Sequence, residues 1–220
     1  MTDFKQKFID FALQCNVLRF GHFKTKAGRP SPYFFNAGLF NDGRSLQQLG
    51  QFYAQAILTS EIRPDALFGP AYKGIPLVST VAIALAEAGY NYPFSFNRKE
   101  IKDHGEGGNI IGAPLAGRIL IVDDVISAGL SVGESVTMIH AAGAAPCGIM
   151  VALDRMEKGE NEHSTLQEIR NKYGIPVISL ITLDDIVAYL HTQQDLARHI
   201  PAIEAYRTRY GAKISDTSSQ

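Results

Sequence analysis

Residues 119–122, Ile-Leu-Ile-Val, form an unbroken apolar run that stops at two consecutive aspartates, Asp123 and Asp124. A run this short and this apolar fits a strand covered on both faces of a parallel sheet, because such strands read as continuous rather than alternating. Val125 and Ile126 follow, then the small-residue turn Ser127, Ala128, Gly129, Leu130, Ser131, then a helical stretch over 131–142. The two carboxylates therefore stand beyond the carboxyl end of a strand, where ligands sit in open α/β sheets. Acids placed there can accept hydrogen bonds from vicinal ribose hydroxyls or support a magnesium shell. The backbone N–H groups of the turn can wrap a phosphate at the helix N-terminus, where the dipole favours negative charge. Acids at strand ends also serve as loop caps, and it is their coupling to the turn that points to a ribose phosphate.

The rest of the chain supplies the sheet that such a strand needs. From Arg44 onward helical and short apolar segments alternate, the pattern of βαβ units. Strands are expected at 66–69, 92–96, 118–123, 147–153 and 177–181, and helices at 44–60, 75–88, 131–142 and 164–173, which makes five parallel strands. Upstream, Phe4, Phe8, Phe11, Ala12 and Cys15 recur at three- and four-residue steps behind an Asp3 cap, predicting an amphipathic first helix. Residues 17–25 and 31–39, separated by the turn cluster Lys26-Ala27-Gly28-Arg29-Pro30, read as a hairpin. This half, residues 1–40, is expected to form a small hood over the main sheet. At 220 residues one domain with one site is expected, because cores stop growing only at roughly 250–300 residues. The polar residues after about 212 read as a frayed tail.

Composition narrows the classes. Lys+Arg 21 against Asp+Glu 22 leaves a net charge of -1, so no global basic field recruits nucleic acid or anionic membrane, and an anion must be held by a local cluster. Hydrophobic residues at 45% set the chain apart from disordered sequences. The opening Met1-Thr2-Asp3-Phe4-Lys5 differs from a secretory leader, and no apolar stretch reaches the roughly 20 residues a bilayer needs. Cys15 and Cys147 lie far apart in apolar contexts, which predicts two buried free thiols and a cytoplasmic protein.

Three further stretches carry charge or aromatic character. Residues 98–113 have no apolar period and contain four glycines with Arg98, Lys99, Lys102 and His104 in close succession, as suits a loop that closes over an anion. Phe68-Gly69-Pro70-Ala71-Tyr72-Lys73-Gly74-Ile75-Pro76 places a lysine beside glycines at another strand end. Arg155 follows the strand at 147–153, and a planar guanidinium suits a carboxylate through two parallel hydrogen bonds, although the adjacent Asp154 could instead hold it in an ion pair.

The segment IVDDVISAGLS is similar to the phosphoribosyl-diphosphate-binding motif of the type I phosphoribosyltransferases. The loop RKEIKDHGEGG resembles the catalytic loop of the orotate-using branch, and GPAYKGI looks like its diphosphate loop. The resemblance runs from about Phe4 to about Tyr206. It implies an α/β type I phosphoribosyltransferase fold, with a five-stranded parallel sheet flanked by helices. The implied activity is that of a pentosyltransferase moving ribose 5-phosphate from phosphoribosyl diphosphate to orotate, in pyrimidine biosynthesis, with magnesium. It also implies a homodimer whose loop 98–110 reaches the neighbouring subunit's site.

Residue by residue, the resemblance gives catalytic roles to Lys102, His104, Asp123 and Asp124. It gives phosphoribosyl-diphosphate contacts to Lys26, Tyr72, Lys73, Arg98, Lys99, Lys102, His104, Asp123, Asp124, Val125, Ile126, Ser127, Ala128, Gly129, Leu130 and Ser131. Orotate falls to Phe34, Phe35, Ser127 and Arg155, and magnesium is held mainly by substrate and water near Asp123 and Asp124. The family usually has threonine at the positions of Ser127 and Leu130; Ser127 keeps a hydroxyl, Leu130 does not, and Ser131 is the candidate replacement. Two rival readings are a phosphoribosyltransferase for another base, which would have no use for Arg155, and a non-catalytic sensor of phosphoribosyl diphosphate, which should have lost the 98–110 loop.

Overall fold

The computed structural model describes residues 1–25, 28–102, 108–126, 129–159 and 163–212, with the side chains of 100–102 and 108 outside that description. The polar tail, 213–220, also lies outside it. After helix α1 (Asp3–Gln14), strands β1 (Leu18–Lys24) and β2 (Pro30–Phe35) pair antiparallel as the hood hairpin. The chain continues through α2 (Gly43–Thr59), β3 (Ala66–Gly69), α3 (Gly74–Glu87), β4 (Phe94–Lys102), β5 (Gly108–Gly112), β6 (Arg118–Val122), α4 (Leu130–Ala141), β7 (Ala145–Asp154), α5 (Thr165–Tyr173), β8 (Val177–Thr182), α6 (Leu183–Leu190) and α7 (Ile200–Tyr210).

The main sheet has the order β5-β4-β3-β6-β7-β8. Every neighbouring pair is parallel except β4 with β5. The five expected parallel strands are thus present, and an antiparallel edge strand is added. Apolar side chains of β6 alternate between two cores: Leu120 and Val122 enter the core beneath α1, α2, α3, α6 and α7, whereas Ile119 and Ile121 enter the core beneath α4 and α5. All four are 0% exposed, which is why their segment reads as a continuous run and not an alternation. Because α3 leaves β3 toward one face and α4 leaves β6 toward the other, the adjacent ends of β3 and β6 open a crevice, the switch point of an open α/β sheet.

Four expectations need correction. The stretch 98–113 is largely strand: β4 runs on to Lys102 and β5 returns along it, with Ser95↔Gly112, Phe96↔Ile111 and Asn97↔Ile110 in register. An edge ribbon carries charged residues against aggregation, so no apolar period marks it. Gly112, at φ +100, has no room for a Cβ, which would lie 2.5 Å from the Phe94 carbonyl oxygen. Thr2, not Asp3, caps α1, its hydroxyl accepting the Lys5 N–H at 3.5 Å. The expected strand at 31–39 ends at Phe35, because the Asn36 side chain accepts the Gly38 N–H and turns the chain into a short 3-10 helix over Ala37–Leu39. The two thiols are half-buried: Cys15 closes the end of α1, and Cys147 falls where the β6–β7 register shifts. Among the described residues no helix is long and apolar enough to cross a membrane.

The loop joining β3 to α3 is packed backbone against backbone. A Cβ on Gly69 would fall on the Gly74 carbonyl oxygen and within 2.7 Å of the Val78 side chain, and one on Gly74 would lie 2.7 Å from the Gly69 carbonyl carbon. Gly69→Ala should therefore lower unfolding free energy by about 1–3 kcal/mol or more, the cost of overpacking a closed site. Gly43→Ala, at an open helix start with nothing within 4 Å, should be neutral or stabilising by about 0.4–1 kcal/mol. Urea unfolding of the two variants measures the contrast, and equal effects would mean that the close approach is not what requires glycine.

Candidate active site

Asp123 and Asp124 stand at the end of β6 and are only 7% and 8% exposed. Their backbone is fixed by three hydrogen bonds, two with β7 and one with α2. The Asp123 N–H donates to the Met150 carbonyl at 3.0 Å, the Ala152 N–H donates to the Asp124 carbonyl at 2.8 Å, and the buried Tyr53 hydroxyl of α2 donates to the Asp123 carbonyl at 2.8 Å. The Asp123 carboxylate accepts the Asp124 N–H at 2.9 Å and the Ser131 hydroxyl at 3.3 Å. Burial, then the charge of Asp124, push the Asp123 pKa up to about 6, with those two hydrogen bonds and Lys73 pulling the other way. Asp124 points instead toward the β3–α3 loop, where the Lys73 ammonium meets its Oδ2 at 2.7 Å. Asn97, a buried polar side chain in β4, accepts the Ala71 N–H at 2.7 Å and so fixes that loop against the sheet.

Two helix N-termini flank the acids. Helices α1, α2, α5 and α6 begin under a capping side chain, from Thr2, Asp42, Ser164 and Thr182 respectively. Helices α3, α4 and α7 begin at Lys73, Gly129 and His199 with no side-chain cap, and of these α3 and α4 start at the crevice. The first-turn N–H donors and positive dipole ends of α3 and α4 thus face the crevice without a side-chain cap among the described residues, an arrangement suited to anions. Gly129 takes φ +70 to make the turn into α4, a left-handed conformation that glycine adopts without strain. Lys99 adds charge beside α3, its ammonium 5.4 Å from the centre of the Tyr72 ring.

A mostly buried cation lies one strand further along, after β7. The guanidinium of Arg155 donates from Nε to Glu157 Oε1 at 2.6 Å and from Nη2 to the Tyr206 hydroxyl at 3.3 Å and to Ser31 Oγ at 3.4 Å. Its centre sits 4.4 Å from the ring centroid of Tyr33, on β2 of the hood. Burial works against the charge, but Tyr33, Glu157 and Tyr206 outweigh it and raise the Arg155 pKa, so the cation is permanent. Asp154, the other candidate partner of Arg155, accepts the Met156 N–H at 2.8 Å instead.

The crevice therefore brings together Asp123, Asp124, Lys73, Tyr72, Lys99, Gly129 and Ser131, while Arg155 joins the hood. Val125 packs partly buried on one core and Ile126 is buried in the other. Phe34 stacks on Phe23 at 5.4 Å and lies beneath Arg19, and Phe35 packs partly buried on the core. The Ser131 hydroxyl, the candidate phosphate donor, is engaged with Asp123, and Leu130 is 75% exposed. Arg98 is half-buried on β4. Lys26, His104, Ser127 and Ala128 lie outside the described residues, as does the side chain of Lys102. Sequence reasoning missed Tyr53, Asn97, Ser31, Glu157 and Tyr206. Only Glu157 had a visible sign, being two residues from Arg155.

Residues 39–177 match the family model described as phosphoribosyl transferase domain. The chain is 83% identical over 217 residues to an orotate phosphoribosyltransferase of Nitrosomonas europaea, covering 99% of this chain and 96% of the relative. It is 67% identical over 214 residues to one of Nitrosospira multiformis, covering 97% and 94%. Among solved structures, the orotate phosphoribosyltransferase of Francisella tularensis superposes with a TM-score of 0.85 at 39% identity, covering 94% of this chain and all of that one.

The raised pKa of Asp123 has a direction that can be tested without ligand. Between the ordinary aspartate value and about 6 the folded protein keeps a proton that the unfolded chain has released. This group's contribution to stability is then complete below that window and is lost as pH rises through about 6. Carboxyl-carbon NMR should show the Asp123 midpoint near 6, and Ser131→Ala, by removing a donor to the charged form, should move it upward. A midpoint at the ordinary value, unmoved by the substitution, would show that the carboxylate is solvated.

Proposed function

Because the chain belongs to the phosphoribosyltransferase family, we infer that its crevice binds a ribose carrying anionic groups at both ends and that the Arg155 pocket takes the base. The protein transfers ribose 5-phosphate from phosphoribosyl diphosphate to orotate, giving orotidine 5'-phosphate and diphosphate. The observation that carries the residue assignment is the pair of uncapped helix N-termini on either side of two buried aspartates.

In this reading the N-terminus of α4, with the backbone of 125–131, holds the 5-phosphate, and Asp123 and Asp124 accept the ribose hydroxyls. The N-terminus of α3, with Tyr72, Lys73, Arg98 and Lys99, holds the diphosphate. Lys73 is paired to Asp124 in the free protein, so an incoming diphosphate competes for that ammonium and releases Asp124 toward the ribose. N1 of orotate attacks the anomeric carbon while the bond to the diphosphate oxygen breaks, with inversion. The electron pair leaves with the diphosphate, and the proton of N1 is lost. The developing oxocarbenium ion needs charge placement and exclusion of water more than a nucleophile from the protein. Lys102 or His104 supplies a proton to the leaving group. Phe34 and Phe35 contribute backbone to the base site, Ser127 joins them, and Lys26 approaches the diphosphate from the hood.

Among the described residues no three carboxylate, imidazole or thiolate groups converge on a metal site. Two aspartates, one matched by a lysine, fit a magnesium ion carried mainly by substrate phosphates and water, with hard oxygen donors as outer support. Such an ion supplies positive charge to the departing diphosphate. A homodimer with loop 98–110 serving the partner's site is also part of the proposal. Its support is that β4 outruns β3: their pairing ends at Gly69↔Phe96, so the rest of β4 and β5 project as a two-stranded arm. A cytoplasmic location suits the two unpaired thiols.

The test follows orotate absorbance with purified protein, phosphoribosyl diphosphate and magnesium, with uracil and hypoxanthine in matched trials. Magnesium-dependent loss of orotate alone is expected, and turnover of another base, or of none, overturns the reading. Lys102→Ala should lower kcat by about 10²–10⁴-fold with little change in KM, the size of a lost proton donor; unchanged kcat removes Lys102 from that role. Arg155→Ala should raise the KM for orotate by about 30-fold or more, as expected when a desolvated charge pair loses one member.

A further inference from the structure

We propose that Glu157 and Tyr206 are positioning residues for base recognition, which lock the Arg155 guanidinium so that one defined edge of it faces the substrate carboxylate. The proposal rests on the assignment of Arg155 to that carboxylate. A guanidinium offers two forks, the side edge formed by Nε and Nη2 and the end edge formed by Nη1 and Nη2. The side edge is filled by protein. Nε donates to Glu157 Oε1 at 2.6 Å, and Nη2 reaches the Tyr206 hydroxyl at 3.3 Å, while that hydroxyl itself donates to the same Glu157 oxygen at 2.7 Å. Among the described contacts none falls on Nη1. The Tyr33 ring, 4.4 Å from the guanidinium centre, closes one face. The end fork is what remains for a planar carboxylate.

The distances separate what stays from what yields. The 2.6 Å bond to Glu157 is short and charge-assisted, so it persists when a ligand binds. The 3.3 and 3.4 Å contacts of Nη2 with Tyr206 and Ser31 are long, so they adjust as the ligand draws that nitrogen into the end fork.

Glu157 is itself held by the C-terminal part of the chain. Residues Glu157 and Gly211 form an antiparallel bridge, the Lys158 N–H donates to the Tyr210 carbonyl at 2.9 Å, and the Ala212 N–H donates to the Met156 carbonyl at 2.9 Å. Between Arg155 and Glu157, Met156 adopts φ 52, a left-handed conformation uncommon for such a residue. That conformation turns the Glu157 carboxylate back onto the guanidinium two residues earlier, and the clamp from α7 holds it. The C-terminal helix thereby becomes part of base selection through its hold on Arg155.

A competing physical effect gives the opposite sign. If the Glu157 charge mainly screened Arg155, removing it would strengthen carboxylate binding. Steady-state kinetics with each substrate varied in turn, on Glu157→Ala, Glu157→Gln, Tyr206→Phe, Arg155→Ala and the double variant Arg155→Ala/Glu157→Ala, separates these readings. Positioning predicts that Glu157→Ala raises the KM for orotate about tenfold, the order lost with an orienting outer partner. The KM for phosphoribosyl diphosphate should stay within about twofold. Glu157→Gln, which keeps an acceptor for Nε, should recover most of the loss. Tyr206→Phe keeps the packed ring and should give a smaller rise of the same kind, which preserves the test if Glu157→Ala does not fold. The double variant should be no worse than Arg155→Ala.

An orotate KM unchanged or lowered in both Glu157→Ala and Tyr206→Phe, or equal rises for the two substrates, or additive effects in the double variant, overturns the proposal. If Arg155→Ala leaves the orotate KM unchanged while the wild-type protein turns orotate over, the carboxylate assignment fails and takes this proposal with it. No turnover by the wild-type protein is instead a failure of the proposed function.

Discussion

Strand β6 is buried on both faces, so the two aspartates that end it cannot shift without disturbing two cores at once. Leu120 and Val122 are locked among α2, α3 and α6, and Ile119 and Ile121 among α4 and α5. Interiors packed to this degree transmit displacement rather than absorb it. The rest of the site is built outward from that fixed point: Lys73 comes to Asp124 from the loop before α3, Ser131 comes to Asp123 from α4, and Tyr53 secures the backbone from α2.

Two carboxylates in a nearly buried place oppose folding, and the site shows how that opposition is limited. One is matched by a lysine and the other by two hydrogen bonds, and both stand between the positive ends of two helices. The compensation is incomplete, as the raised pKa of Asp123 shows. The helix ends at Lys73 and Gly129 likewise carry first-turn N–H groups with no side-chain cap. Stability given up at such points is what a binding site requires, because its groups are left for a ligand to complete.

The base end follows a different rule. Arg155 reaches its place from β7, but its neighbours come from the hood (Ser31 and Tyr33) and from the C-terminal helix (Tyr206). The hood and α7 thus join the nearby Glu157 around one guanidinium, whose charge tolerates burial because of these partners. The hood is more than a cover, since its second strand lines the pocket in which a planar acid would be recognised.

The sequence by itself determined the parallel core of the sheet, because a strand covered on both faces must be apolar throughout and βαβ alternation leaves few topologies. It also placed Asp123, Asp124, Lys73 and the Gly129 turn at strand ends, since those positions are local, one strand and one turn away from a legible apolar run. It could not show that residues 98–102 and 108–112 form an edge ribbon, because edge strands are held by backbone hydrogen bonds that impose no apolar period. Nor could it show that Lys73 pairs with Asp124 across fifty-one residues, or that Tyr206 stands beside Arg155 across the same separation. A hydrophobic period reports only which face of an element is buried. Which polar side chains share a buried point depends on how the elements cross, and tertiary packing alone decides that.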